Sequence, residues 1–153
     1  MTSPAQSAPA KHLLHQHACS GVALRCIDFR FRKTTDAHIQ DEHLLEFDGP
    51  LTAAGGVQAL LDPDDRRFLV KQLTLAHKLH CGGKWTIALL THTDCGKYKA
   101  DGLTDPTAQR TQQISDHKAA RQLLLQEFPD ATVRCLIAIG NDDGSYDFEE
   151  VEV

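Results

Sequence analysis

Trp85 to Leu90 is a continuous apolar run of strand length, and this run most constrains the fold. A strand with one face in water alternates polar and apolar residues, so an unbroken run implies cover on both faces, as in a parallel sheet. Thr132 to Ile139 reads as another buried strand, and Val22 to Phe29 is apolar and β-rich. Between these segments the period changes. Phe68, Leu69, Leu73, Leu75, Ala76 and Leu79 recur at helical spacing, which predicts a helix from Arg66 to Leu79. Asp62 to Asp65 supplies its N-cap cluster with Pro63 in the first turn, and Gly82-Gly83 ends it. Ser115 to Phe128 is a second amphipathic stretch, closed by Pro129.

Shorter signals complete the order. A turn or helix start is expected at Thr34-Thr35-Asp36, and a short strand from Leu44 to Phe47, stopped by Asp48-Gly49-Pro50. Ala53-Ala54-Gly55-Gly56 permits a tight backbone before a helical turn through Leu61. Residues 100–112 read as a polar loop containing Pro106, and Asn141 to Gly144 as a turn before an edge strand from Tyr146 to Val153. Strands alternating with helices predict a three-layer α/β fold. Its mainly parallel β-sheet has four strands plus an antiparallel edge strand, flanked by helices. Residues 1–18 read as a flexible N-terminal tail, and residues 19–153 as one catalytic domain.

The 153 residues carry 16 basic and 21 acidic side chains, a net charge of -5, which argues against a nucleic-acid partner. No apolar run approaches the roughly 20 residues needed to cross a bilayer, so no membrane partner is expected. Met1 to Ala10 lacks the basic and apolar regions of a secretory signal, so a cytoplasmic location is expected by default. Five cysteines, an odd number at irregular spacing, fit poorly with a disulfide framework. In a reducing compartment they read as buried thiols, metal ligands or nucleophiles.

Two strings carry the chemistry: Cys26-Ile27-Asp28-Phe29-Arg30 and His92-Thr93-Asp94-Cys95-Gly96. Each ends a β-rich run, so a parallel sheet brings both to one edge, where such folds build their sites. Cys26, His92 and Cys95 then offer two thiolates and an imidazole to one metal ion, the donor set of a zinc site with an open fourth position. The strand period of two puts Cys26, Asp28 and Arg30 on one side and Ile27 and Phe29 on the packed side. Asp28 and Arg30 can pair, which keeps the carboxylate charged. Taken singly, each element has a plainer reading: a cysteine as apolar filler, Asp28–Arg30 as a surface ion pair.

Jointly, the two strings resemble the paired signature of the β-class carbonic anhydrases, Cys-x-Asp-x-Arg followed downstream by His-x-x-Cys. Thr91 to Gly96 extends the second motif, and Ala54-Gly55-Gly56 resembles the small-residue turn between them. The resemblance implies Zn2+ held by Cys26, His92 and Cys95, with Asp28 and Arg30 as the catalytic dyad. It implies reversible hydration of carbon dioxide to bicarbonate by a zinc-bound hydroxide, in a homodimer or higher homo-oligomer. This chain has Thr52-Ala53 where the family commonly has Arg-Asn, and Thr91 where it has glycine. Other readings of the same residues are a carbonyl sulfide or carbon disulfide hydrolase, a non-catalytic zinc or bicarbonate-binding homologue, and a Cys95–His92 nucleophile pair. His38, His43, Tyr98 and His117 are candidates for a proton shuttle, and Lys97 and Lys99 for drawing an anion to the cleft mouth.

Overall fold

The computed structural model describes residues 18–43 and 47–153, with 41–43 described by backbone alone. The tail expected at 1–18 therefore lies outside the described residues except for Ala18. So do residues 44–46 of the strand expected at Leu44–Phe47, and the side chain of His43.

Five strands form one sheet: β1 (Gly21–Cys26), β2 (Phe47–Ala53), β3 (Trp85–His92), β4 (Ala131–Gly140) and β5 (Tyr146–Glu150). Their order is β2-β1-β3-β4-β5, the first four parallel and β5 antiparallel to β4. The helices are α1 (Arg32–His43), α2 (Pro63–Ala76), α3 (Gly96–Ala100) and α4 (Pro106–Glu127). This is the expected three-layer α/β architecture. Alternation along the strands divides the core. Val22, Leu24, Ile87, Leu89, Val133, Cys135 and Ile137 face Leu69 and Leu73 of α2 and Ala120 and Leu124 of α4. Ala23, Ala88, Leu90 and Leu136 face Ile39 of α1. Leu73 is fully buried, so Leu73→Ala is worth about 2–5 kcal/mol of stability.

Four expectations are corrected. First, β1 stops at Cys26, because the Asp28 carboxylate accepts the Arg30 backbone N–H at 3.0 Å and caps a 3-10 turn over Phe29–Phe31. A side chain that bonds its own backbone competes with a strand ladder. Ile27 and Phe29 consequently stand 61% and 81% exposed rather than packed. Second, β2 runs through Asp48-Gly49-Pro50 instead of ending there. Val22 pairs with Asp48 and Leu24 with Leu51, leaving Gly49 and Pro50 together opposite Ala23 in a bulge on an edge strand, where proline is tolerated.

Third, most of the loop expected at 100–112 is helical. Asp105 caps the α4 N-terminus by accepting the Ala108 N–H at 2.8 Å, and Pro106 occupies the first turn. Fourth, α2 presents a narrower stripe than its spacing suggests. Leu69 and Leu73 are buried, while Phe68, Leu75 and Leu79 are exposed. The helix ends at Ala76 and continues as a wider π-helical turn over His77–Cys81.

Connections from β1 lead outward to β2, whereas those from β3 lead the other way to β4. The strand order thus reverses between β1 and β3, and the crevice beyond their carboxyl ends is where open α/β sheets bind ligands.

Candidate metal centre

Cys26 is the last residue of β1 and His92 the last of β3, so both strands deliver a donor to that crevice. Cys95 holds the N-cap position of α3 three residues beyond His92, across the turn Thr93-Asp94. The structure brings the three together: one donor atom from each lies within 4.8 Å of the others, all three residues are buried, and the sulfurs are 3.9 Å apart.

The histidine is oriented for a cation. Its Nδ1 lies 2.8 Å from the Thr93 carbonyl oxygen, which can only accept, so the proton sits on Nδ1 and Nε2 keeps its lone pair. That Nε2 is buried and has no hydrogen-bond partner among the described residues. An orphaned buried nitrogen beside two thiols fits a soft metal ion, whose binding would satisfy it. Phe31 stacks on the ring at 4.3 Å and fixes its plane. The thiols titrate as a pair. A hydrogen bond with Cys95 lowers the Cys26 thiol against the opposing effect of burial, and His92 lowers it further. The same bond, then burial, holds the Cys95 proton above the ordinary thiol range. Removing both protons calls for a cation between the sulfurs.

Asp28 and Arg30 close one side. Arg30 donates from Nη2 to Asp28 Oδ2 at 2.7 Å and from Nε to Oδ1 at 3.1 Å. The guanidinium also donates from Nη1 to Asp94 Oδ2 at 3.0 Å and from Nη2 to the Asp94 carbonyl at 3.1 Å. Arg30 therefore ties the loop after β1 to the loop after β3. Its hydrogen bonds hold the Asp28 carboxyl below the usual carboxylate range. Asp28 Oδ2 stands 3.8 Å from His92 Nε2, close to the donors but engaged with Arg30. A cleft of about 470 Å³ opens here, lined by Cys26, Ile27, Asp28, Phe29 and Arg30 together with the Ala54-Gly55 turn and Lys97. Gly56 makes that turn possible: its φ is +59°, and a Cβ there would meet the Leu90 carbonyl oxygen at 2.7 Å.

Of the shuttle candidates, Tyr98 packs with Cys26 and Cys95, and each described one is engaged with a neighbour. Tyr98 is buried and donates to Asp116 at 2.7 Å; His117 is buried against Thr91 at 3.1 Å, and burial lowers its pKa to about 4. His38 stacks on Phe148 at 3.9 Å. Lys97 pairs with Asp101 and Lys99 with Asp94.

Residues that the sequence reading did not single out support the site from below. Gln109 accepts the Cys95 N–H at 2.8 Å, and Gln113 donates to the His92 carbonyl at 2.8 Å. Both are buried. With Asp116, His117, Ala120 and Leu124 they form the inner stripe of α4. Asp105-Pro106, an N-cap followed by a first-turn proline, is the signal that would have found this helix and its polar inner face.

Among the described residues no helix is long and apolar enough to cross a membrane. No curated protein and no solved structure matches the chain. Residues 16–142 match the family described as "Putative carbonic anhydrase". Because that match runs from before β1 to beyond the end of β4 and takes in the whole of this cleft, the chain belongs to that family.

Proposed function

We propose that the protein is a zinc-dependent carbonic anhydrase of the β class, hydrating carbon dioxide reversibly to bicarbonate, with residues 19–153 as its catalytic domain. The observation that carries this reading is the buried His92 Nε2 without a partner, beside the sulfurs of Cys26 and Cys95 at the sheet's switch point. Those three residues would hold Zn2+. Zinc in such a donor set supplies an acidified water, of pKa about 7, in its open position.

The chain's own groups do the rest. Asp28, kept ionised by Arg30, offers a carboxylate oxygen to accept a hydrogen bond from the attacking solvent molecule and so orients it. Arg30 keeps Asp28 from closing on the donors, since that movement would break the carboxylate's bonds to Arg30, which Asp94 holds in place. Ile27, Phe29 and Ala54 give an uncharged, linear substrate an apolar approach. A homodimer or higher homo-oligomer would cover the exposed Ile27 and Phe29 at the cleft mouth, and the activity belongs to the cytoplasm in this reading.

Elemental analysis of the purified protein, paired with stopped-flow carbon dioxide hydration, tests the proposal. Zinc with hydration at neutral pH supports it; a zinc-loaded protein without hydration overturns it. Carbonyl sulfide and carbon disulfide in the same assay identify a hydrolase, which the apolar lining also suits.

A further inference from the structure

A second set of donors sits at the opposite edge of the sheet. Cys19 lies two residues before β1, Asp48 is the second residue of β2, and Cys81 ends the π-helical turn that leads towards β3. One donor atom from each lies within 4.8 Å of the others, and all three residues are half-buried. We propose that Cys19, Asp48 and Cys81 form a second metal site, for a thiophilic divalent cation of the zinc class.

Backbone structure fixes each donor. The Cys19 N–H donates to the His80 carbonyl at 3.1 Å, and Asp48 pairs with Val22 in the ladder. The turn bearing Cys81 is closed by Gly82 N–H to the His77 carbonyl at 2.8 Å, and the His77 ring stacks on Trp85. His80 Nδ1 lies 2.6 Å from Asp48 Oδ2. A ligand carboxylate held by a second hydrogen-bonding group is the usual outer support of a metal site.

Charge and donor type point the same way. Two thiols and a carboxylate meet here within 4.8 Å. The set thus converges groups that all take negative charge, and the His80 imidazole is engaged with the carboxylate. A cation would reverse that, displacing a proton from each thiol to solvent. Two sulfurs select zinc-like ions over magnesium or calcium. The sulfurs stand 3.2 Å apart. That exceeds a disulfide bond of about 2.05 Å, and both cysteines are free. Tetrahedral zinc with bonds of about 2.3 Å needs about 3.8 Å between sulfurs, so loading would part the pair slightly. An ion here would tie β1, β2 and the α2–β3 connection together, remote from the cleft.

The test is an anaerobic titration of the reduced, chelator-stripped full chain with Co2+, read by thiolate-to-cobalt absorption and by elemental analysis after dialysis. The wild type should take up about two ions, and the Cys19→Ser/Cys81→Ser and Cys26→Ser/Cys95→Ser variants about one each. Asp48→Asn, which preserves shape, should weaken the more exposed site about tenfold or more with circular dichroism unchanged. The proposal fails if the Cys19→Ser/Cys81→Ser protein binds as much metal as wild type. It also fails if Asp48→Asn leaves both affinities unaltered, or if reduced wild type takes up a single ion that vanishes with Cys26 and Cys95. Loss of uptake confined to the Cys26→Ser/Cys95→Ser arm would likewise overturn the second site, while leaving the reading of the cleft standing.

Discussion

At the carboxyl-terminal edge of the sheet, two cysteines and a histidine lie buried, with the Cys95 and His92 backbones held by α4; at the amino-terminal edge, two cysteines and an aspartate lie half open to solvent. Both clusters draw on the same strand neighbourhood, and both hold sulfurs near contact. They differ in what surrounds them. The buried set has an imidazole nitrogen with nothing to bond, glutamines behind it and a carboxylate–guanidinium pair in front. The open set has His80 behind its carboxylate. Geometry that burial and a helix impose exists before any ligand arrives, whereas a half-exposed set takes its final shape from the ion it holds. Pre-organisation of the first kind suits chemistry; the second suits reinforcement.

The sharpest way to break this contrast is His92→Ala. Hydration should fall to the buffer rate and the buried edge should lose its metal, while uptake by Cys19 and Cys81 persists. Metal loss from both edges would show that they are one cooperative system. Arg30→Ala should lower kcat about 10²-fold with metal content unchanged, because Asp28 loses its positioning. Arg30→Lys should not rescue it, since an ammonium lacks the fork that spans Asp28 and Asp94. Unchanged kcat in both would remove the dyad from the mechanism.

Acid should then act through the buried edge. His117 is neutral in the fold down to about 4, whereas an unfolded histidine takes its proton near 6.5. The unfolded chain therefore binds more protons between those values, and stability present above 6.5 is lost as pH falls towards 4, by about 3 kcal/mol. Urea unfolding of wild type and His117→Leu at pH 7, 5.5 and 4.5 should show that slope only in the wild type. The smallest effect is expected behind the donors: Gln113→Leu should weaken metal affinity at the cleft about tenfold. Competition with a chromogenic chelator would measure it, with the open site as the internal control.

Much of this arrangement was legible in the sequence because buried parallel strands and capped helices write plain signals. Trp85–Leu90 is all but the end of β3, and Asp62-Pro63 marks the start of α2. The two motifs sit at strand ends as expected because the order of elements alone takes them there. What escaped reading depended on partners distant in the chain. Gly49-Pro50 breaks a central strand but not an edge strand with a bulge, and sequence does not say which strand is the edge. Ile27 and Phe29 look packed until Asp28 is seen to cap its own backbone. Gln109 fell in the expected polar loop and Gln113 outside the expected helix, because their inner-face position appears only when Asp105 starts the helix well before Ser115. The second cluster was the least visible. Cys19, Asp48 and Cys81 share no motif, and only the parallel pairing of β1 with its neighbours makes them adjacent.

The Cys95 amide has a consequence for motion. Its hydrogen goes to a glutamine side chain on α4 rather than to a neighbouring strand or turn. Exchange of that single proton with deuterated solvent thus clocks how often α4 lifts from its seat, and with it how long the cleft keeps its shape. A helix that lends the cavity none of its lining would in this way govern how long the three donors stay assembled.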